Sequence, residues 1–333
     1  MLSSKSVANV ANLIQSSYRE YVKEIHWADK ELQEHLHDNL EAFQDTFSTR
    51  LTGLSREVVV AWHEKYRIMY RDQESVGSLI HAGDIQLSLQ SFVNLKRVSV
   101  NNGCEAEAEQ YPAAQNGQEI ISHPAHWSTL RQFRLRRGGL YVLILKSLAG
   151  SQISHNITHF SMNTNGSRYD KDVLSPNFES GGPIFMFENI GHLEINLCLH
   201  EEYLYEQESS IAGHLTNRGE CKNLQSLTMK LHPHAADAMG GVGKPSTGSP
   251  RINWASAYFN PLGGFFPYLR HLEAHRFRIK NEDLLAYLDT LKHTLHSLIL
   301  SDCIFEPSVL KLFTGIREDV VPPVAILKYS GDR

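Results

Sequence analysis

A histidine two residues before a glutamate is the side-chain pairing in this chain with the clearest chemical capacity. Within the candidate strands described below it occurs at His192-x-Glu194 and at His271-x-Glu273, and His275 follows the second pair at the same interval. On a strand, residues two apart share a face. There an imidazole and a carboxylate would bind basic or hydroxyl-bearing groups, with pH dependence near neutrality. The same pair is the minimum equipment for proton transfer. A hydrolase-like enzyme with a cryptic His/carboxylate site is therefore the alternative to plain recognition.

Other constellations fall short on spacing. The chain has 18 histidines, close together at His123-x-x-His126, His155-x-x-x-His159 and His232-x-His234. None lies in an H-E-x-x-H helix and no cysteine stands at finger spacing, so no metal site is expected. The glycine-rich run ending at Gly243-Lys244 lacks the first glycine of a P-loop, which would fall on Ala238, and Pro245 replaces the magnesium-binding hydroxyl. No G-x-S-x-G or other nucleophile motif occurs, and no cofactor is implied. The basic run RQFRLRR at 131–137, with Arg134 and Arg136, reads as a solvated strand edge or as a contact for an acidic or phosphate-bearing partner, whose oxygens suit arginine forks.

The His/Glu pairs stand in a repeated frame. The spacing apolar-x-x-apolar-x-apolar occurs at Leu95/Val98/Val100, Leu130/Phe133/Leu135, Ile157/Phe160/Met162, Ile190/Leu193/Ile195, Leu224/Leu227/Met229, Leu269/Leu272/Ala274 and Leu295/Leu298/Leu300. Asparagine precedes the first apolar position at Asn94, Asn156, Asn189 and Asn223. This is the strand half of a leucine-rich repeat, at long and irregular intervals. Its apolar positions point inward, and each strand must be covered by its neighbours to bury them. The positions between them then form columns across the other face. The first column is Arg97, Gln132, His159, His192, Ser226, His271 and Ser297. The second is Ser99, Arg134, Ser161, Glu194, Thr228, Glu273 and Ile299. The third is Asn101, Arg136, Asn163, Asn196, Lys230, His275 and Ser301. A curved sheet presenting such columns is an extended protein-binding surface.

The expected fold is α/β: an irregular leucine-rich-repeat-like solenoid with parallel strands over 93–330, behind an N-terminal helical region, 1–92, that caps its open end. Residues 1–15 are expected to fray. A helix is expected over 18–51, and a second capped by Ser55 with Val58, Trp62, Tyr66 and Met69 inward. Ile85, Leu89 and Phe92 suggest a third. Helical spacing at Leu284, Leu285, Leu288 and Leu291 predicts a crossover between the last two strands. Flexible insertions are expected at about 101–127 and 233–250, short helices over 203–215 and 254–259, a buried helix or strand over 141–148 and a last strand over 324–329.

Composition narrows the class. The chain has 333 residues, is 41% apolar and carries a net charge of −5, which gives no electrostatic case for nucleic acid. Four scattered cysteines suggest reduced thiols in the cytoplasm or nucleus. No signal-peptide layout and no bilayer-length apolar run is seen, so no membrane partner is expected.

Two segments carry a family resemblance. EDLLAYLDTLKHTLHSLILSDC (282–303) resembles the C-terminal repeat of fungal F-box/leucine-rich-repeat-like proteins, and VVVAWHEKYRIMYRDQESV (58–76) before LKRVSV resembles the segment after their F-box. An F-box itself is not recognisable in residues 1–50. The resemblance implies a non-catalytic substrate receptor of a ubiquitin ligase, and contact with the ligase adaptor if an F-box is present.

Overall fold

The computed structural model describes residues 3–28, 32–82, 89–101, 156–163, 189–199, 223–233, 266–275, 277–306, 308, 310–311 and 314. Its centre is a parallel sheet of seven strands: β1 (Glu24–Ala28), β2 (Arg97–Asn101), β3 (His159–Asn163), β4 (His192–Leu199), β5 (Ser226–Pro233), β6 (His271–His275) and β8 (Ser297–Ser301). Among these, each strand lies beside the one preceding it in the chain. The short strands β7 (Arg278–Lys280) and β9 (Ile304–Glu306) pair separately, also in parallel.

The strands form where the six-residue spacing places them, because it separates an inward row from an outward one. Burial alternates in β3, β6 and β8. Val98, Phe160, Leu193, Leu227, Leu272 and Leu298 pair in one continuous register and are all essentially inaccessible to solvent. Ahead of each strand the backbone makes one repeated contact. The carbonyl of Lys23 accepts from the N–H groups of both Lys96 and Arg97, that of Lys96 from Thr158 and His159, that of Thr158 from Gly191 and His192, and so on to Arg270, Ser297 and His296. The preceding asparagines brace the same corner: Asn94 Nδ2 donates to the Glu20 carbonyl at 2.7 Å and Asn156 Nδ2 to that of Val93 at 3.0 Å. The side-chain amide thus satisfies a carbonyl that the turn leaves outside the ladder.

Helices are described between β1 and β2 in sequence and between β6 and β8. Helix α5 (Arg56–Ala82) lies against α2 (Glu34–His37) and α3 (Leu40–Thr46) around Leu36, Phe43, Phe47, Tyr66 and Tyr70. A short α4 (Ser48–Leu51) links α3 to α5. Helix α6 (Asn281–Thr290) is the expected crossover between β6 and β8, burying Leu284, Tyr287 and Leu288. No described helix is long and apolar enough to cross a membrane.

Several expectations are corrected. The described part of 1–15 is helical where fraying was expected: Ser3 and Ser6 form a reciprocal cap at the start of α1 (Ser4–Gln15), and Ser4 N–H donates to Asp72 Oδ2 on α5 at 3.0 Å. A single helix over 18–51 does not form. A 3-10 turn (Ser17–Tyr21) leads into β1, and Asn39 caps α3 through the Ala42 N–H. The reason is in the residues: Val22-x-x-Ile25-x-Trp27 has the same spacing as the other strands, and β1 pairs with β2 along all its length. The region 1–92 thus contributes a strand to the sheet. In α5 the fully buried face includes Val59, His63, Tyr66 and Tyr70, with Trp62 and Met69 packed partly buried beside it, while Val58 is 38% exposed. Leu89 and Phe92 are buried, but a 3-10 turn (Leu89–Ser91) followed by Phe92 stands where a third helix was expected. The expected strand at Leu130/Phe133/Leu135, with Arg134 and Arg136, lies outside the described residues. So do the elements expected over 141–148, 203–215, 254–259 and 324–329, and Ile85. β2 pairs directly with β3.

Candidate functional site

The outward columns assemble in register. The first runs Glu24, Arg97, His159, His192, Ser226, His271, Ser297, and the second His26, Ser99, Ser161, Glu194, Thr228, Glu273, Ile299. Neighbouring strands lie about 4.8 Å apart, so side chains in one column touch. Ser161 Oγ donates to Ser99 Oγ at 2.9 Å. The rings of His159 and His192 stack, with centroids 4.1 Å apart and planes 10° from parallel.

A second cluster centres on Glu273, which is 20% exposed. His275 Nε2 lies 2.5 Å from its Oε1, Thr228 Oγ1 donates to Oε2 at 3.2 Å, and His271 Nε2 lies 3.6 Å from Oε2. Lys230 Nζ stands midway between two strands' carboxylates, 3.8 Å from Glu273 and 3.8 Å from Glu194. At the β1 edge, Glu24 meets Arg97 at 3.4 Å and His26 at 3.2 Å.

These surroundings set the charge states. Burial alone would raise the Glu273 carboxyl, but His275, Lys230 and Thr228 together outweigh it and hold the group below its ordinary value. His159 is pushed down by burial, then by His192 and Arg97, against an opposing pull from Glu24. His192 is pushed down by burial, then by Arg97 and His271. Both stacked imidazoles thus favour the neutral form at pH 7, and Glu273 is a carboxylate whose oxygens are already engaged. The first pair can take up protons; the second is a fixed, compensated charge.

The Glu273 cluster yields a stability prediction with a definite sign. A carboxyl held below its unfolded value of 4.5 stabilises the fold above that pH and loses its contribution as pH falls through the depressed folded value. Glu273→Gln should therefore cost up to about 1 kcal/mol at pH 7, the scale of a partly exposed charge pair, and little at pH 3. Urea unfolding of both proteins at the two pH values measures this, and an equal cost at both would contradict it.

Of the residues singled out from sequence, the structure brings His159 together with His192, and His271, Glu273 and His275 together with one another. Glu194 joins the second group through Lys230. The partners that tune them lie on neighbouring strands. Thr228 and Lys230 stood in the columns but not among the candidates. Glu24 and His26 were hidden by reading β1 as helix, although the Val22/Ile25/Trp27 spacing marks them. Among the described residues no group of three or more His, Cys, Asp and Glu side chains could hold a metal ion. No protein-family model matches the chain, and neither a curated protein nor a solved structure matches it.

Proposed function

We propose that this chain is a non-catalytic protein-recognition module, a leucine-rich-repeat-like solenoid whose outward sheet face contacts a partner, with the N-terminal helices closing one end. The observation that carries this is the register itself: parallel strands taken in chain order align Arg97, His159, His192 and His271 in one row and Glu194, Thr228 and Glu273 in the next. Rows of polar side chains across a parallel sheet suit an extended partner. The state of Glu273 favours recognition over hydrolysis. Its oxygens face Lys230, Thr228 and two histidines, so it does not stand behind one histidine to activate a nucleophile. By resemblance, the module would be the substrate receptor of an F-box-type ubiquitin ligase.

The test compares the wild-type chain with the fourfold variant His192→Ala/Glu194→Ala/His271→Ala/Glu273→Ala as immobilised baits. The variant should stay folded by circular dichroism and lose the proteins that wild type retains. An unchanged set of captured proteins would discard the face. The ligase assignment has its own control: if a bona fide F-box protein recovers the adaptor and this chain does not, that assignment falls while the recognition face stands.

A further inference from the structure

Resting on the recognition reading above, we propose that Arg97, His159 and His192 form a proton-gated seat for an extended acidic segment of a partner protein. The carboxylates on this face are engaged: Glu273 by Lys230, Thr228 and histidines, Glu194 by Lys230, and Glu24 by Arg97 and His26. A basic partner would have to displace these contacts. The stacked imidazoles are different. His159 Nδ1 lies 2.9 Å from the Thr158 hydroxyl, and among the described residues neither ring has a carboxylate at ion-pair distance.

Protonating the stack places up to two positive charges face to face, beside the half-exposed Arg97 guanidinium. Burial first, and then these neighbouring positive charges, hold the rings below the ordinary histidine value, so they charge only at lower pH or when negative charge lies over them. The surroundings on every side act in the same sense or weakly against it. Arg97 approaches from β2, with Glu24 beyond it on β1. On the other side Ser226 of β5 comes next, and His271 follows on β6 beside Glu273. Glu194, next along β4, is held by Lys230 of β5. Burial and these neighbours keep both imidazoles below the ordinary histidine value.

Geometry fits the occupant. Arg97 to His192 is two strand steps, about 10 Å. Alternate side chains of an extended peptide recur at about 7 Å, so two carboxylates at alternate positions reach from the guanidinium to the stack. Each carboxylate favours the charged imidazole and each charged imidazole favours the carboxylate, so binding and proton uptake are coupled. The sign follows: a ligand that prefers the protonated rings binds more tightly as pH falls, by about tenfold per pH unit for each proton taken up. The gain levels off once the rings of the free protein are charged.

The experiment measures binding of a fluorescein-labelled (Glu-Ala)5 peptide to the full chain by anisotropy, from pH 7.5 to pH 5.5. A (Lys-Ala)5 peptide and oligothymidylate serve as comparisons. The acidic peptide should gain about tenfold or more in affinity over that range. His159→Gln/His192→Gln should abolish the gain, with the fold intact by circular dichroism. Arg97→Gln should weaken binding at every pH and move the gain to higher pH, because a like charge beside the stack is gone. An unaltered pH slope in the double histidine variant overturns the proposal. So does oligothymidylate binding as tightly with the same sensitivity to the variants. A basic peptide held by this face overturns it while leaving the recognition reading intact. Binding of no probe overturns it as well, and it takes the recognition reading along only if the fourfold variant also captures an unchanged set of proteins.

Discussion

Leu272→Ala lowers the free energy of unfolding by about 2–5 kcal/mol, the range for truncating a buried leucine whose surroundings relax only in part. Leu272 has no solvent exposure. It lies between Leu227 of β5 and Leu298 of β8 in the continuous inward row. Both neighbouring strands are fixed by their ladders, and α6 crosses from β6 to β8 with Leu284 and Leu288 buried. The hole therefore cannot close by sliding one strand, since a shift along β6 would break pairing on both sides at once. Position in the row should grade the effect. Ile25→Ala, on the edge strand and only half-buried, should cost less than half as much. Urea unfolding with equal m-values in the three proteins measures the difference. A loss below about 1 kcal/mol at Leu272 would mean that the row is not packed as a continuous core.

That row was the most legible part of the fold. A spacing of three then two residues is peculiar to a strand entered through a tight corner. Its inward positions must be apolar at every repeat, so Leu95, Ile157, Ile190, Leu224, Leu269 and Leu295 stand out against any background. Asn94 and Asn156 were legible for the same reason, since each serves one carbonyl at one corner. β1 was missed because the first step of the pattern, Val22 to Ile25, is also one helical turn. Only the second step, Ile25 to Trp27, separates the two periods, and a helical stripe through Val22, Ile25, Leu32 and Leu36 passes over Trp27. On α5 the expected Tyr66 is fully buried, and Trp62 and Met69 pack partly buried against the same cluster, but Val59 replaces Val58 because three valines in succession, 58–60, offer no phase.

The site was legible by column and not by contact. Sequence spacing places Glu273 and His275 on one face, and they do meet. It does not say which strand lies alongside, so the hydrogen bond from Thr228, 45 residues earlier, could not be read, nor could the position of Lys230 between two glutamates. The stacking of His159 on His192 depends likewise on β3 and β4 being immediate neighbours. These cross-strand contacts decide the charge state of the face, which is why the sequence pointed to a basic or hydroxyl-bearing partner and the geometry points to an acidic one.

Tyr66→Phe removes one oxygen and should cost about 1–3 kcal/mol, the scale for depriving buried polar groups of a hydrogen-bond partner. Tyr66 is fully buried among Phe43 and Phe47, with ring centroids 5.4 and 6.3 Å away. Its hydroxyl accepts from the Gln33 N–H at 2.6 Å and donates to the Gln33 carbonyl at 3.3 Å. One residue earlier, the Leu32 N–H donates to Gln73 Oε1 at 3.0 Å. These bonds tie the chain that leaves β1 to α5. Burial drives the phenol far above its ordinary value, against the Gln33 backbone bond. The group is neutral throughout the working range, so the cost should be the same at pH 6 and pH 8. The loss should also be local. With the tether weakened, amide exchange should quicken in β1 more than in β4, because an edge strand opens without breaking a second ladder. Since Glu24 stands on β1 and holds Arg97, loosening that edge should free the guanidinium at one end of the histidine row. Hydrogen exchange read residue by residue checks the order. Equal acceleration in β1 and β4 would show that the helical end and the sheet unfold as one unit, and that Tyr66 does not act through the edge.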